Sequence, residues 1–475
     1  MNLALVVPEI VLLGFACALL LLDLTGRRAR FACGLAVAGL LASASATLPL
    51  VRAGGTTFGG MVVIDDFALV FKALFLGSTL LVVLFSWEYQ ERLPRLAGEY
   101  YALLLLACAG MMLLAEAGEL ITVYLSLEVT TIALATLAGL LKDERSTEAG
   151  IKYLLLAALS SAVLLYGMAI VFALTGTTNL QEIGAMLPAA WQQNRLAVLL
   201  ATVLFTAGFG FKLAAVPFQM WAPDVYEGAP TPVTAFFSVV SKAGGVAIML
   251  RVFHSALGDG AIATDWTAVF AVLSALSMTL GNVVAIQQRN IKRMMAYSSI
   301  AHAGYLLVGL AVVPQMGPGG AVFYLLAYAF TNLGAFAAIT VLSHRLGSDL
   351  IAGYAGAWQR SPFAALALGI CLLSLTGIPP TAGFFAKLFI FNAGMQQGLG
   401  WLVLVGVINS VVSAYYYVGI LRVVFTGTPG SGVAFRPSLP AAVAIGIGVI
   451  GTLLLGVFPG PAFEAATAAA GSVAP

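Results

Sequence analysis

Apolar runs about as long as a bilayer is thick recur along the whole chain, and the segments between them are short and basic or rich in turn residues. A segment surrounded by lipid must satisfy its own backbone hydrogen bonds, so each run of roughly 20 apolar residues predicts one crossing helix. Fourteen spans are expected, near residues 3–22, 31–50, 66–86, 100–115, 119–140, 149–174, 195–220, 231–253, 265–286, 293–312, 320–344, 361–396, 399–425 and 438–458. The run at 100–115 is the shortest, and 361–396 is too long for one straight crossing. The first run is too long and too weakly basic in front for a cleaved signal peptide and is expected to be retained. The fold class expected is an all-α polytopic membrane protein.

Composition agrees with the pattern: 61% of the residues are hydrophobic and 9% charged, with a mean hydropathy of +1.01, against about 25% charged in a soluble domain. A net charge of +2 with scattered basic residues leaves no footprint for nucleic acid. Cys17, Cys33, Cys108 and Cys371 stand singly in apolar runs, which argues against a disulfide, a metal or an iron–sulfur cluster.

The loops fix an orientation. One alternate set holds fourteen basic residues: Arg27, Arg28, Arg30, Arg92, Arg95, Lys142, Arg145, Arg289, Lys292, Arg293, Arg345, Arg360, Arg422 and Arg436. The other set holds only Arg52 and Arg195. Basic loops stay cytoplasmic, so both termini are expected on the outer, periplasmic side.

Six basic residues remain inside spans: Lys72, Lys152, Lys212, Lys242, Arg251 and Lys387; Glu128 is the acid nearest mid-membrane. A charge at a helix centre costs roughly 2.5–3.5 kcal/mol even on the lenient insertion scale, so deep charges mark function. Arg251 is close enough to a helix end to snorkel outward, and Lys72 and Lys152 lie within two turns of theirs. Lys212, Lys242, Lys387 and Glu128 are too deep to escape, and His302, in "YSSIAHAGY", is also near mid-span.

Two of the spans carry breakers. "FKLAAVPFQMW" places Pro217 just after Lys212, and "SLTGIPPTAGFFAKLF" places Pro379 and Pro380 before Lys387. Proline removes a backbone donor and clashes with the carbonyl one turn back, so both helices should unwind at membrane depth. Such backbone survives only where protein buries it or a wet cavity receives it. Each break falls in the fourth helix of a run of five. Five is odd, so a second copy starts from the opposite face and the copies are inverted. The expected units are a three-helix segment at 1–99, a first repeat at 100–253, an inverted repeat at 265–425, and a last helix and tail at 426–475.

No phosphate-binding glycine loop, haem-ligand pair or metal set stands in the chain, which leaves protons. A buried lysine loses proton affinity through desolvation and regains it beside a carboxylate, so moving the carboxylate turns a proton holder into a donor.

The wording is specific. "GFKLAAVPFQMWAPDVYEGAPTPVTAFFSVVSKAGG", "RNIKRMMAYSSIAHAGYLLVG" and "SLTGIPPTAGFFAKLFIF" closely resemble the N-subunit (NuoN-type) branch of the antiporter-like family in proton-pumping NADH:quinone oxidoreductase, respiratory complex I. The resemblance covers nearly the whole chain. It implies an antiporter-like fold in which Glu128 matches a glutamate that pairs with the lysine of the broken seventh helix, Lys212. Lys242 matches a connecting lysine, Lys387 the lysine of the broken twelfth helix by which protons leave, and Lys152 a lysine that modulates the pair. Many relatives carry histidine where this chain has Gln219, so no histidine relay is expected there. The resemblance further implies no cofactor in this chain, with NADH, FMN, iron–sulfur clusters and quinone in partner subunits. Its implied neighbours are an M-type antiporter-like subunit and a small K-type subunit, in the bacterial inner membrane. The rival expectation is a subunit of an Mrp-type cation/proton antiporter, which shares the fold and the buried lysines.

Overall fold

A computed structural model describes residues 2–23, 29–92, 96–258, 260–313, 316–428 and 433–473. Arg27, Arg28 and Arg95 of the basic loops, and Pro475, lie outside the described residues. The chain opens with α1 (Val7–Asp23) and α2 (Ala29–Thr47), followed by one helical turn, α3 (Leu50–Ala53), and a hairpin of β1 (Gly55–Thr57) and β2 (Val62–Ile64). The two strands are antiparallel with Gly55 opposite Ile64. Then come α4 (Asp66–Phe85), α5 (Ala97–Ala115), α6 (Leu120–Ala138), α7 (Glu144–Thr175), α8 (Leu180–Gln193), α9 (Arg195–Leu213) and the short α10 (Trp221–Gly228).

A single rod, Thr231–Ala256, follows. It consists of α11 (Thr231–Phe236), a π-helical turn at Phe237–Ser241, α12 (Lys242–Leu250) and a second π-helical turn at Arg251–Ala256. The second half holds α13 (Gly260–Ala285), α14 (Ile291–Leu310), α15 (Met316–Leu346), α16 (Ala357–Arg360), α17 (Pro362–Thr376), α18 (Ala382–Gln396) and α19 (Gly400–Thr426). It closes with α20 (Leu439–Val457) and α21 (Gly460–Gly471).

Among the described residues twelve helices are long and apolar enough to cross a membrane. Two of the fourteen expected spans take other forms. The run near 293–312 is α14, whose polar residues dilute its hydropathy, and 361–396 is divided into α17 and α18. The run near 100–115 is a full-length crossing, because α5 starts at Ala97. The sequence pattern did not mark α8 or α21. α8 buries Leu180, Ile183, Leu187, Ala190 and Trp191 on one face, as an amphipathic helix does.

The Thr231–Ala256 rod is buried along its length and α15 nearly so, whereas α2, α7, α19 and α20 expose most of theirs. On α7 the outward side chains include Leu154, Leu155, Leu159 and Phe172, an apolar face suited to lipid. The crossing helices are capped where polar residues meet the ends: Asp65 Oδ1 accepts from Ala68 N at 2.8 Å, and Asp143 Oδ1 from Ser146 N at 2.8 Å.

One short backbone pattern occurs twice. Glu119 bridges Asn179 and Asn290 bridges Leu350, each partner displaced by 171 residues (119 to 290, 179 to 350). The hydrogen bonds repeat in the same register: Leu120 N to Thr178 O at 2.9 Å and Ile291 N to Asp349 O at 2.8 Å, Leu180 N to Gly118 O at 3.0 Å and Ile351 N to Arg289 O at 2.8 Å. The first bridge lies at the end of the bundle that carries the hairpin, and the second lies at the basic end beside Lys292 and Arg293.

Candidate proton-transfer site

α9 ends at Leu213, and Ala214 adopts a left-handed conformation (φ 58) as its cap. Residues 214–220 then run as irregular backbone past Pro217, until α10 starts at Trp221. Protein groups receive the freed polar atoms, as lipid depth requires. Ser277 Oγ accepts from Val216 N at 2.9 Å, and Trp221 Nε1 donates to Phe211 O at 2.9 Å.

Lys212 sits in the last turn of α9, 5% exposed. Its Nζ donates to Thr131 Oγ1 on α6 at 3.2 Å and to Tyr153 OH on α7 at 3.2 Å. Glu128 stands one turn before Thr131. No ion pair within 4.0 Å joins it to Lys212, although the two charges are near enough to interact electrostatically. The Glu128 Oε1 atom is buried and accepts no hydrogen bond. Lys152 is placed elsewhere: its Nζ lies 2.6 Å from Glu148 and 2.7 Å from Asp224, at the basic end of α7. Its neighbour Tyr153 is the residue that reaches Lys212.

Lys242 follows the first π-helical turn, a feature often found at functional sites, and is 2% exposed. Its Nζ donates to Leu213 O at 2.9 Å and to Ser299 O on α14 at 2.9 Å. Leu213 O belongs to the C-terminal turn of α9, where unsatisfied carbonyls attract a cation. The second break repeats this arrangement. α17 ends at Thr376, residues 377–381 pass Pro379 and Pro380, and α18 resumes at Ala382. Lys387, 5% exposed, turns back to donate to Leu375 O at 3.1 Å and to Thr376 O at 2.8 Å, with its Nζ 4.6 Å from the Tyr305 ring centroid.

His302 lies between the two lysine sites. Its Nδ1 is 2.5 Å from Tyr324 OH, and its Nε2 is 3.4 Å from Tyr417 OH, which in turn lies 2.5 Å from Ser298 Oγ. A cavity of ≈ 10 Å³, the size of about one water, is lined by His302, Tyr324, Tyr328, Thr331, Ser374 and Gly383 and joins the histidine to the second break. Both Lys242 and Lys387 are within electrostatic range of the imidazole. Tyr305 carries the polar network onward: its hydroxyl meets Asn282 Nδ2 at 3.4 Å and Ser410 Oγ at 3.3 Å, and Asn282 Nδ2 also donates to Asn409 Oδ1 at 3.3 Å.

The 171-residue displacement extends to side chains, since Thr131 and Tyr153, which hold Lys212, correspond to His302 and Tyr324, which hold each other. These hydroxyl partners were not singled out from the sequence. The available signal was a polar side chain recurring inside an apolar run.

Two further readings change. Arg251 does not snorkel into solvent: it is 5% exposed, forms a two-pronged ion pair with Asp65 (2.7 and 2.8 Å), and donates from Nε to Ala115 O at 2.5 Å. Lys72 is fully buried between Glu9 and Glu116. At the basic end, Asp224 also takes Arg293 Nη1 at 2.7 Å, which ties α7, α10 and α14 together. Burial alone would raise the Asp224 carboxyl, but hydrogen bonds from Lys152 and Arg293 hold it below its ordinary value of 3.8.

Residues 117–413 match the family profile described as NADH:quinone oxidoreductase/Mrp antiporter, TM. Over its full length the chain is 44% identical to NADH-quinone oxidoreductase subunit N of Heliobacterium modesticaldum, which is also covered in full. The chain belongs to the NADH-quinone oxidoreductase subunit N family. Subunit N of Moorella thermoacetica is 45% identical over 90% of this chain and 89% of its own. Among solved structures, a chain of respiratory complex I from Thermus thermophilus with bound aureothin superposes with a TM-score of 0.81 at 33% identity, covering 96% of this chain and 98% of that one. A chain of the Mrp complex from Dietzia sp. shares the fold, with a TM-score of 0.86 at 23% identity over 100% of this chain and 98% of that one. This subunit N family member is thus a multi-pass membrane protein of antiporter-like fold.

Proposed function

We propose that this chain translocates protons within the membrane arm of an NADH-quinone oxidoreductase, by a relay that runs from Glu128 and Lys212 through Lys242 and His302 to Lys387. The observation that carries the reading is the placement of three buried lysines at two helix breaks. Lys242 caps the end of α9 one residue beyond Lys212, and Lys387 caps the end of α17.

A lysine in such a place is finely balanced. Desolvation disfavours its charge, while carbonyls at a helix C-terminus, two at Lys387 and one at Lys242, favour it. When Glu128 is charged and near, Lys212 keeps its proton. When Glu128 is neutralised or withdrawn, the proton leaves for Lys242, whose ammonium the Leu213 and Ser299 carbonyls accommodate. His302, between Tyr324 and Tyr417, hands charge on toward Lys387. Lys152 modulates the pair through Tyr153, its neighbour on α7, which holds Lys212.

On this reading the units at 100–253 and 265–425 are inverted repeats, which the recurrence of the bridge at opposite ends of the bundle supports. The hairpin end and both termini face the periplasm, and the basic end faces the cytoplasm of a bacterial inner membrane. Electrons travel in partner subunits that carry FMN, iron–sulfur clusters and the NADH and quinone sites, and this chain sits beside M-type and K-type subunits. An Mrp-type assembly would copurify without redox centres.

The test is proton pumping by the whole complex in vesicles, driven by NADH oxidation. Lys387→Ala and Lys387→Arg should both lose most pumping, because the guanidinium keeps its charge but does not release its proton. Full pumping by the arginine variant would reduce Lys387 to a fixed structural charge.

A further inference from the structure

Outside the relay, Glu9 on α1, Lys72 on α4 and Glu116 just beyond α5 form a closed cluster. Their exposures are 2%, 0% and 0%. Lys72 Nζ lies 2.9 Å from Glu9 Oε1 and 2.6 Å from Glu116 Oε1. The two carboxyl groups thus meet at one ammonium. Neither Oε2 accepts a hydrogen bond from the chain.

Two carboxylates against one ammonium would leave a net negative charge in a place without solvent. A buried charge that lacks a partner does not persist there; the group neutralises instead. Two carboxyls set against one ammonium ionise one at a time, and a single proton held between them supplies a hydrogen bond to oxygens that the chain leaves without one. The remaining carboxylate then balances Lys72.

Among the described residues, the charged and titratable groups near the cluster leave this count unchanged. Asp65, on the same end of α4, is matched by Arg251. Cys108 on α5 is near Glu9 and neutral as a thiol, and His254, after α12, packs its ring on Trp266 at 5.5 Å.

The nearest open space lies on the far side of the backbone that follows Glu116. A cavity of ≈ 880 Å³ at the hairpin end is lined by Val63, Asp65, Ala117, Gly118 and Arg251. Val63 N donates to Glu116 O at 2.8 Å, so the wall of that cavity is the backbone next to Glu116 itself. Arg251, which lines the cavity and donates to Ala115 O next to Glu116, is nine residues from Lys242 along one rod, or about 13 Å, which separates the cluster from the relay.

We propose that Glu9 and Glu116 form a proton-binding site, sharing one proton over the Lys72 ammonium and exchanging it with the cavity at the hairpin end. The inference does not depend on the relay.

Infrared difference spectroscopy of the intact complex tests it, through the carbonyl band of protonated carboxylic acids. Relative to the parent, Glu9→Gln and Glu116→Gln should each lose a band equal to one carboxylic acid, since each leaves one carboxylate for one ammonium. The triple variant Glu9→Gln/Lys72→Met/Glu116→Gln carries no charge in the pocket, so it reads out the same loss should a single variant fail to assemble. Bands unchanged from the parent in these variants would overturn the shared proton. A parent band that does not shift in heavy water would overturn exchange with the cavity.

Discussion

The ammonium of Lys242 lies 2.9 Å from the carbonyl oxygen of Leu213, the residue that follows Lys212. One buried lysine therefore closes the helix end that carries another. Lys242→Met removes a charged donor from that carbonyl, a loss of about 1.5–3 kcal/mol, and should lower the thermal stability of the complex along with pumping. Lys242→Arg should restore stability without restoring pumping, because the guanidinium does not give up its proton. Recovery of pumping by arginine would make Lys242 a cap alone.

Glu128 acts on Lys212 through space, while Thr131 and Tyr153 hold the lysine by hydrogen bonds. Glu128→Ala and Lys212→Ala should each abolish most proton translocation with the complex assembled, and the double variant should be no worse than the worse single. Tyr153→Phe should slow pumping by about tenfold, the equivalent of one hydrogen bond to a charged group, and leave assembly intact. Vesicle pumping measured across the four variants decides it: fully additive single losses would contradict one titrating unit.

Gly377 has a φ of +95, and a Cβ there would stand 3.2 Å from the Lys387 side chain. Gly377→Ala should cost about 1–2 kcal/mol in backbone conformation and displace Lys387 from the end of α17. Gly419, with nothing within 4 Å of an added Cβ, is the control. The expected result is a lower melting temperature and impaired pumping for Gly377→Ala alone, measured on the purified complex.

Asp224 joins Lys152 to Arg293 and is held below its ordinary value of 3.8. A carboxyl whose folded value is depressed stabilises the fold above its unfolded value and loses that contribution as pH falls through the folded one. The latch should thus be complete at neutral pH and fail only below pH 3.8. Asp224→Asn should lower thermal stability at pH 7, and the difference from the parent should close under that acid limit. A difference that already vanishes by pH 5 would assign the stability to other contacts.

Much of the architecture was legible because lipid imposes a simple rule. Runs of about 20 apolar residues mark crossings, and the alternation of basic loops gives the orientation expected for them. Pro217 and Pro379–Pro380 marked the places where α9 and the α17–α18 pair are interrupted, since proline cannot continue a helix. The sequence also isolated Lys212, Lys242 and Lys387 as too deep for solvent, which their exposures of 5%, 2% and 5% bear out.

What the sequence by itself determined is thus what depends on position along the chain: the existence and order of the spans, the burial of Lys212, Lys242 and Lys387, and the locations of the breaks. Which side chains meet was decided only by the tertiary structure. In a soluble helix a polar face tells which side turns inward, but here lipid-facing and buried faces are both apolar, so periodicity carries no such signal. The rotation of α1, α4 and α5 about their axes encloses Lys72 between Glu9 and Glu116, and that of the Thr231–Ala256 rod gives Arg251 to Asp65. The same rotations set Lys212 against Thr131 and Tyr153. Close packing between helices fixes those angles, and no single run contains them.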